Sequence, residues 1–264
     1  MLLCLDVGNT HIMSGVFDKD QLIARFRYAT HMLGTADQFG IFLLNILQAK
    51  NIDAKKIDAV AMCSVVPSTD FTIRHTISLY FDANFFVLKS GAKTGLNIKY
   101  KNPNEVGADR IANAIGAVNA FPHKNLIIID MGTATTLCAV SASRDYLGGT
   151  ILPGMRLGME SLKNNAAKLM EVDIEAPATY IGRTTRESIQ SGLYYGHLGA
   201  VKEVIAGYRK EVFMDVPPVI IGTGGFSNLF RDKNLFDVIL PDLVLQGLHK
   251  AYHNSTLSYQ DDKS

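Results

Sequence analysis

The same short grammar occurs twice in this chain. Residues 1–5 are apolar and run into Asp6-Val7-Gly8-Asn9-Thr10, and Leu126-Ile127-Ile128-Ile129 runs into Asp130-Met131-Gly132-Thr133. Each copy then resumes a strand-like run, over residues 12–17 and 136–140. An apolar strand, Asp-x-Gly, a polar turn and a returning strand make a β-hairpin with a polar tip. Glycine there lets backbone N–H groups approach a ligand closely. The Asn and Thr side chains add donors, and the Asp can hold a cation or a metal-bound water. A single copy reads more readily as a tight turn with Asp and Gly in turn positions. Two copies about half a chain apart are harder to explain that way. They point to two similar halves, each opening on a phosphate-and-metal hairpin.

The 264 residues suit one large domain or two small ones, and the repeat favours two halves. Hydrophobic residues at 47% and charged residues at 19% allow a sizeable core. A net charge of +1 with scattered Lys and Arg gives no support for a nucleic-acid groove or an anionic membrane surface. Cys4, Cys63 and Cys138 each fall inside an apolar, strand-like run, an odd count without close pairs. They read as packing residues in a reducing compartment, with neither a disulfide framework nor a zinc site. No basic segment precedes a long apolar one, and the longest apolar stretch, residues 39–47, is too short to span a bilayer. A cytoplasmic protein is the expectation.

In chain order, residues 2–5, 12–17 and 22–28 read as three strands. Thr35 to Gln38 has capping-box form ahead of a helix with Phe39, Phe42, Leu43, Ile46 and Leu47 at helical spacing. A strand over 57–66, a helix from Pro67 to Tyr80 and a short strand over 85–88 follow. Residues 89–104 read as a Gly- and Lys-rich loop and 105–120 as a helix capped by Asn104. The second half repeats the opening with strands over 126–130, 135–141 and 146–152, then a helix over 155–169 and an irregular link over 170–182. Thr184 to Glu187 forms another capping box before a helix reaching about residue 213. A strand over 219–222 and a helix over 243–252 capped by Asp242 complete the pattern, with a frayed polar tail after 254. This is a mixed α/β chain with helices covering sheets. The hairpin openings argue against a doubly wound dinucleotide fold, and no Gly-x-x-x-x-Gly-Lys-Ser/Thr loop is present.

The paired hairpins resemble the phosphate-1 and phosphate-2 motifs of the actin, sugar kinase and hsp70 superfamily. Within it the chain resembles the type III pantothenate kinases along nearly its whole length. The resemblance rests on residues 6–10, on Asn102-Pro103 with Glu105-Val106-Gly107-Ala108-Asp109-Arg110, and on residues 130–136. Gly148-Gly149, Pro153-Gly154 and residues 222–227 are more generic support. It implies two tandem ribonuclease-H-like domains, 1–118 and 119–254, with a polar tail over 255–264. It also implies ATP-dependent phosphorylation of pantothenate, the first step towards coenzyme A, by a homodimer with its site near the subunit interface. The cofactors implied are Mg²⁺ and a monovalent cation, K⁺ or NH₄⁺. Competing readings are another small-molecule kinase of the superfamily and a non-enzymatic regulator on the same fold.

Carried residue by residue, the resemblance gives Asp6, Val7, Gly8, Asn9, Thr10, His11, Ile12 and Met13 to the ATP phosphates, with Asp6 holding Mg²⁺ through water. Asp130 becomes the monovalent-cation ligand and Thr133 an ATP contact. Gly222, Gly224 and Gly225 belong to an adenosine loop. Tyr100, Gly107, Ala108, Asp109, Arg110 and Thr185 contact pantothenate, with Asp109 as general base and Arg110 anchoring the carboxylate. Spacing alone leaves plainer readings for several of these. Asp109, about 200° from the core residue Ile111 on a helix, is expected to face out of the core, where a solvated first-turn aspartate is also favoured by the helix dipole. Arg110 could pair at the surface with Glu105 or Asp109. Asp130 could be a water-bound turn residue, Tyr100 a loop-packing residue and Thr185 a first-turn residue. His249 and His253, four apart with no third ligand nearby, read as cationic residues at a helix C-terminus.

Overall fold

Both Asp-x-Gly runs become the central strand of a unit with the same topology. The computed structural model describes residues 1–89, 91–92 and 94–261. The chain divides into one unit of Met1–Ala120 with Asp242–Ser264 and a second of Phe121–Pro241.

In the first unit, β1 (Leu2–Val7), β2 (His11–Asp18) and β3 (Gln21–Ala29) form an antiparallel meander. Next come α1 (Ala36–Ala49), β4 (Ala59–Ser64), α2 (Pro67–Tyr80) and β5 (Asn84–Val87). The sheet order is β3-β2-β1-β4-β5, with β4 parallel to β1 and to β5. A two-residue strand β6 (Asn97–Ile98) and a 3-10 turn (Pro103–Glu105) lead into α3 (Ala108–Ala120). In the second unit, β7 (Leu126–Met131), β8 (Ala134–Val140) and β9 (Asp145–Pro153) repeat the meander. They are followed by α4 (Met155–Asn165), α5 (Thr185–Glu211), β10 (Val219–Thr223) and β11 (Val238–Ile239). Its strands run β9-β8-β7-β10-β11, which matches the first unit strand for strand. The last helix, α6 (Leu243–Asp261), returns to the first unit.

Strand alternation decides which side chains meet which helices. Leu3, Leu5 and Val7 of β1, Ile12 and Val16 of β2, and Val60 and Met62 of β4 share a core with Phe39, Leu43 and Leu47 of α1 and Ile73 and Ile77 of α2. The opposite face carries Cys4 and Asp6 of β1, Gly15 of β2, and Ala61 and Cys63 of β4, and α6 and α3 lie on that side. The second unit repeats the division. Ile127, Ile129 and Met131 join Leu137, Ala139 and the α5 residues Tyr194, Leu198, Val201 and Ile205 in one core, and Asp130 points from the other face.

Local signals set several boundaries as expected. Thr35 and Gln38 close a complete capping box, and Pro67 opens α2 at its first turn, where a missing N–H costs nothing. At α5 the box is displaced. The Thr184 hydroxyl accepts from Glu187 N at 3.2 Å, but the Glu187 carboxylate accepts from Arg183 N at 2.7 Å.

Three expectations need correction. The C-terminal helix does not end at residue 252 before a frayed tail; it continues to Asp261. Nor does it belong with the second half. It packs against α3 and the first sheet, because Gly116 and Gly247 let the two helices approach backbone to backbone. The start of α3 also moves: residues 103–105 form a 3-10 turn capped by Asn102, and the helix begins only at Ala108. Residues 90, 93 and 262–264, which fall in the expected 89–104 loop and the tail, lie outside the described residues. Among the described residues, no helix is long and apolar enough to cross a membrane.

Candidate active site

The first hairpin tip is held by its own backbone. Gly8 N donates to His11 O at 3.1 Å, and Thr30 clamps the far side, its N–H on Thr10 O at 3.0 Å and its hydroxyl on Gly8 O at 2.7 Å. Val7 and Ile12 are the last paired residues, so residues 8–11 form the turn. A Cβ on Gly8 would meet His11 O at 3.1 Å, closer than an ordinary contact. The second tip is one residue shorter: Met131 pairs with Thr135, and Gly132 N donates to Ala134 O at 3.1 Å.

Asp6, near the end of β1, pairs in parallel register with Cys63 of β4, and the Cys63 thiol donates to Asp6 Oδ1 at 3.4 Å. Asp109, in the first turn of α3, also acts electrostatically on that thiol. Burial first, then the charges of Asp6 and Asp109, push the Cys63 thiol well above its ordinary value, so it stays protonated. All three cysteines are buried and in no disulfide, but Cys63 also touches a carboxylate and Cys138 accepts from the Tyr146 hydroxyl at 3.2 Å.

Asp109 is half-buried and does not stand on a solvated helix face. Residues 110–118 of α3 are all buried, because this helix is covered on several sides and has no water-facing stripe. The Asp109 carboxylate folds back over the helix start, where Oδ1 accepts from Arg110 N at 2.8 Å. Gly107 makes the room: a Cβ there would sit 2.5 Å from Asp109 Oδ1. Desolvation by burial raises the Asp109 pKa, opposed by the Arg110 N–H and the Arg110 charge. Arg110 itself is 5% exposed, which removes the surface-pair reading, and its guanidinium stands over the Tyr100 ring at 5.8 Å from the centroid. Two of the expected substrate residues, Tyr100 and Arg110, are thus in contact.

In the second unit, Asp130 lies in a cradle of glycines. A Cβ on Gly132 would meet Asp130 Oδ1 at 3.5 Å, and one on Gly224, whose φ of +83° already favours glycine, would collide with the same oxygen. Phe226 N donates to Met131 O and Gly154 N to Thr133 O, each at 3.1 Å, so both chain segments wrap the hairpin tip. Gly222 ends against Phe236, and Gly225 has open space beside it. Thr185 opens α5 and lines a cavity of about 530 Å³ with Gly158, Leu162, Leu169, Ile189 and Leu193. His249 and His253 do not sit at a helix C-terminus. His249 is buried, stacks on Phe17 at 4.4 Å and bonds Lys19 O at 2.8 Å, and burial lowers its pKa.

A family model described as type III pantothenate kinase matches residues 2–207. The type III pantothenate kinase of Legionella pneumophila strain Corby is 52% identical over 251 residues, covering 95% of this chain and 98% of that one. This chain belongs to the type III pantothenate kinase family. Among solved structures, it is similar to the activator of the 2-hydroxyisocaproyl-CoA dehydratase from Clostridium difficile with bound ADPNP, at a TM-score of 0.52 and 14% identity, covering 99% and 97% of the two chains. It is also similar to MreB 5 of Spiroplasma citri bound to AMPPNP, at a TM-score of 0.51 and 11% identity, covering 100% and 98%. These likenesses show the fold, that of the actin-like ATPases and sugar kinases.

Proposed function

We propose that this chain transfers the γ-phosphoryl group of ATP to the primary alcohol of pantothenate, giving 4'-phosphopantothenate and ADP, the first step towards coenzyme A. Family membership supplies the reaction. The observation that carries the residue assignment is the Asp109 carboxylate, desolvated at the start of α3 and acting on the same buried thiol as Asp6. Phosphoryl transfer asks chiefly for positioning and charge neutralisation, with one group to take the alcohol proton. Asp109 is the general base: its carboxylate orients the hydroxyl and accepts that proton. Its raised pKa places it nearer the working pH, where a base is more effective. Arg110, fixed over Tyr100, grips the pantothenate carboxylate, and Gly107, Ala108 and Thr185 complete the contacts.

Residues 6–13 supply the phosphate hairpin, with Thr133 on the second tip and Gly222, Gly224 and Gly225 as the adenosine loop. Bound Mg²⁺ neutralises charge on the phosphates. Asp6 fits it through water, as a carboxylate near the end of its strand that acts on the same buried thiol as Asp109. Asp130 fits K⁺ or NH₄⁺, since the glycines around it leave space that any side chain would fill. The test is coupled ADP release with and without pantothenate. Release that does not depend on pantothenate would point to another kinase of the superfamily, and no release to a regulator. Activity is expected to be low in Na⁺ and restored by K⁺ or NH₄⁺. Asp130→Asn should flatten that dependence and lower turnover severalfold; full K⁺ activation in the variant would remove Asp130 from the role.

The working form in this proposal is a cytoplasmic homodimer without nucleic-acid or membrane partners. Exposed Leu157, Leu162, Met170, Tyr180 and Ile181 support it as apolar surface in the second unit, and Leu162 also lines the Thr185 cavity. Light scattering at micromolar concentration should give about twice the 28.9 kDa chain mass. A fully active monomer would refute it.

A further inference from the structure

Cys63 sits where no packing argument requires a polarizable donor. It is fully buried in β4, on the sheet face that also carries Asp6, in direct parallel register with that residue. Its Sγ lies 3.4 Å from Asp6 Oδ1. The neighbouring β4 residues on this face, Ala59 and Ala61, carry only methyl groups, so the thiol is the one β4 side chain on this face that can donate to the carboxylate. A carboxylate has two oxygens. Fixing one by a protein donor sets the plane of the group and the direction in which the other points. Loss of such a fixing contact changes how well the carboxylate serves a ligand without touching the ligand itself.

We infer that Cys63 is a positioning residue of this site, whose S–H holds Asp6 Oδ1 and so orients the Asp6 carboxylate for the water shell of the nucleotide-bound Mg²⁺. The inference rests on the proposed role of Asp6. Serine keeps the donor at the same position. Alanine and valine both remove it, with opposite packing errors: a small void for one and excess volume for the other.

The experiment compares wild type with Cys63→Ser, Cys63→Ala and Cys63→Val in two measurements. The first is the Mg²⁺ concentration giving half-maximal ADP release at saturating pantothenate and ATP. The second is the shift in melting temperature caused by ADP, with and without Mg²⁺, which needs no turnover. Expected is a rise of about three- to tenfold in the half-saturating Mg²⁺ for both Ala and Val, the size of one lost hydrogen bond of ordinary strength, since a thiol is a weak donor. The Mg²⁺-dependent part of the ADP shift should shrink in both, and the Mg²⁺-free part should match wild type. Cys63→Ser should stay within about twofold of wild type. Ala and Val variants with wild-type Mg²⁺ dependence would overturn the inference. So would a Ser variant as impaired as the other two, since that pattern reports packing alone. If Ala does not fold, Val and Ser still divide donor from volume. Wild-type protein without pantothenate-dependent ADP release would instead overturn the kinase reading, while the ADP melting shifts would still report on Cys63.

Discussion

Asp109→Asn is expected to lower kcat by about 10²- to 10⁴-fold, the usual worth of a general base. The pantothenate hydroxyl is a poor nucleophile, and its proton must leave as the bond to phosphorus forms. Asparagine keeps the size of the side chain and can still accept from Arg110 N, but it cannot take a proton. KM for ATP should change little, because the phosphate hairpins and the adenosine loop carry that binding in the proposed assignment. Thermal stability should move the opposite way. The folded-state pKa of Asp109 is raised by desolvation, so the charged carboxylate is disfavoured in the fold. The penalty is absent below the unfolded value, near 3.8, where both states are protonated, and it is complete once pH has risen past the folded value. At neutral pH Asp109→Asn should therefore melt higher than wild type, by roughly 2–4 °C for each kcal/mol recovered, and the gain should shrink as pH falls. An inactive variant with no gain in melting temperature would mean that the carboxylate is not desolvated as the geometry requires. A variant turning over within about threefold of wild type would remove Asp109 as the base.

How much of this was legible in the sequence depends on how far each feature reaches along the chain. The hairpins were legible because Asp-x-Gly after an apolar run is local chemistry. Pro67 and the Thr35–Gln38 box marked their helices for the same reason. The Asp109 environment was not legible from spacing. A helix covered on several sides has no periodicity to show which face meets water, and the covering helix, α6, lies more than a hundred residues away in sequence. The contact between Cys63 and Asp6 depends on the parallel register of two strands 57 residues apart, which no local pattern reports. The two-residue strands β6 and β11 are too short to carry alternation. Gly247 was visible only as a glycine in a helical run, a mild local cost; its reason is the helix across from it.

That reason makes Gly247→Ala the substitution with the largest expected effect on stability. A Cβ at this position would lie inside the backbone carbonyl of Ala112, at 2.6 Å from its carbon and 2.9 Å from Gly116 N. These are main-chain atoms of α3, so no side-chain rotation relieves the collision, and the two helices must separate. Overpacking of a tight core costs about 1–3 kcal/mol and more where backbone must move, so a loss of about 3 kcal/mol or more is expected. In a chain of this size that is a fall in melting temperature of roughly 6–12 °C. Asp109 and Arg110 ride on α3, so kcat and the KM for pantothenate should both worsen before the protein melts. Gly207→Ala is the paired control. Gly207 lies within α5 with no atom within 4 Å of an added Cβ, so alanine there should only gain helix propensity, about 0.5–1 kcal/mol. A scan in which both variants rise, or in which Gly247→Ala melts with wild type, would show that α3 and α6 do not meet backbone to backbone.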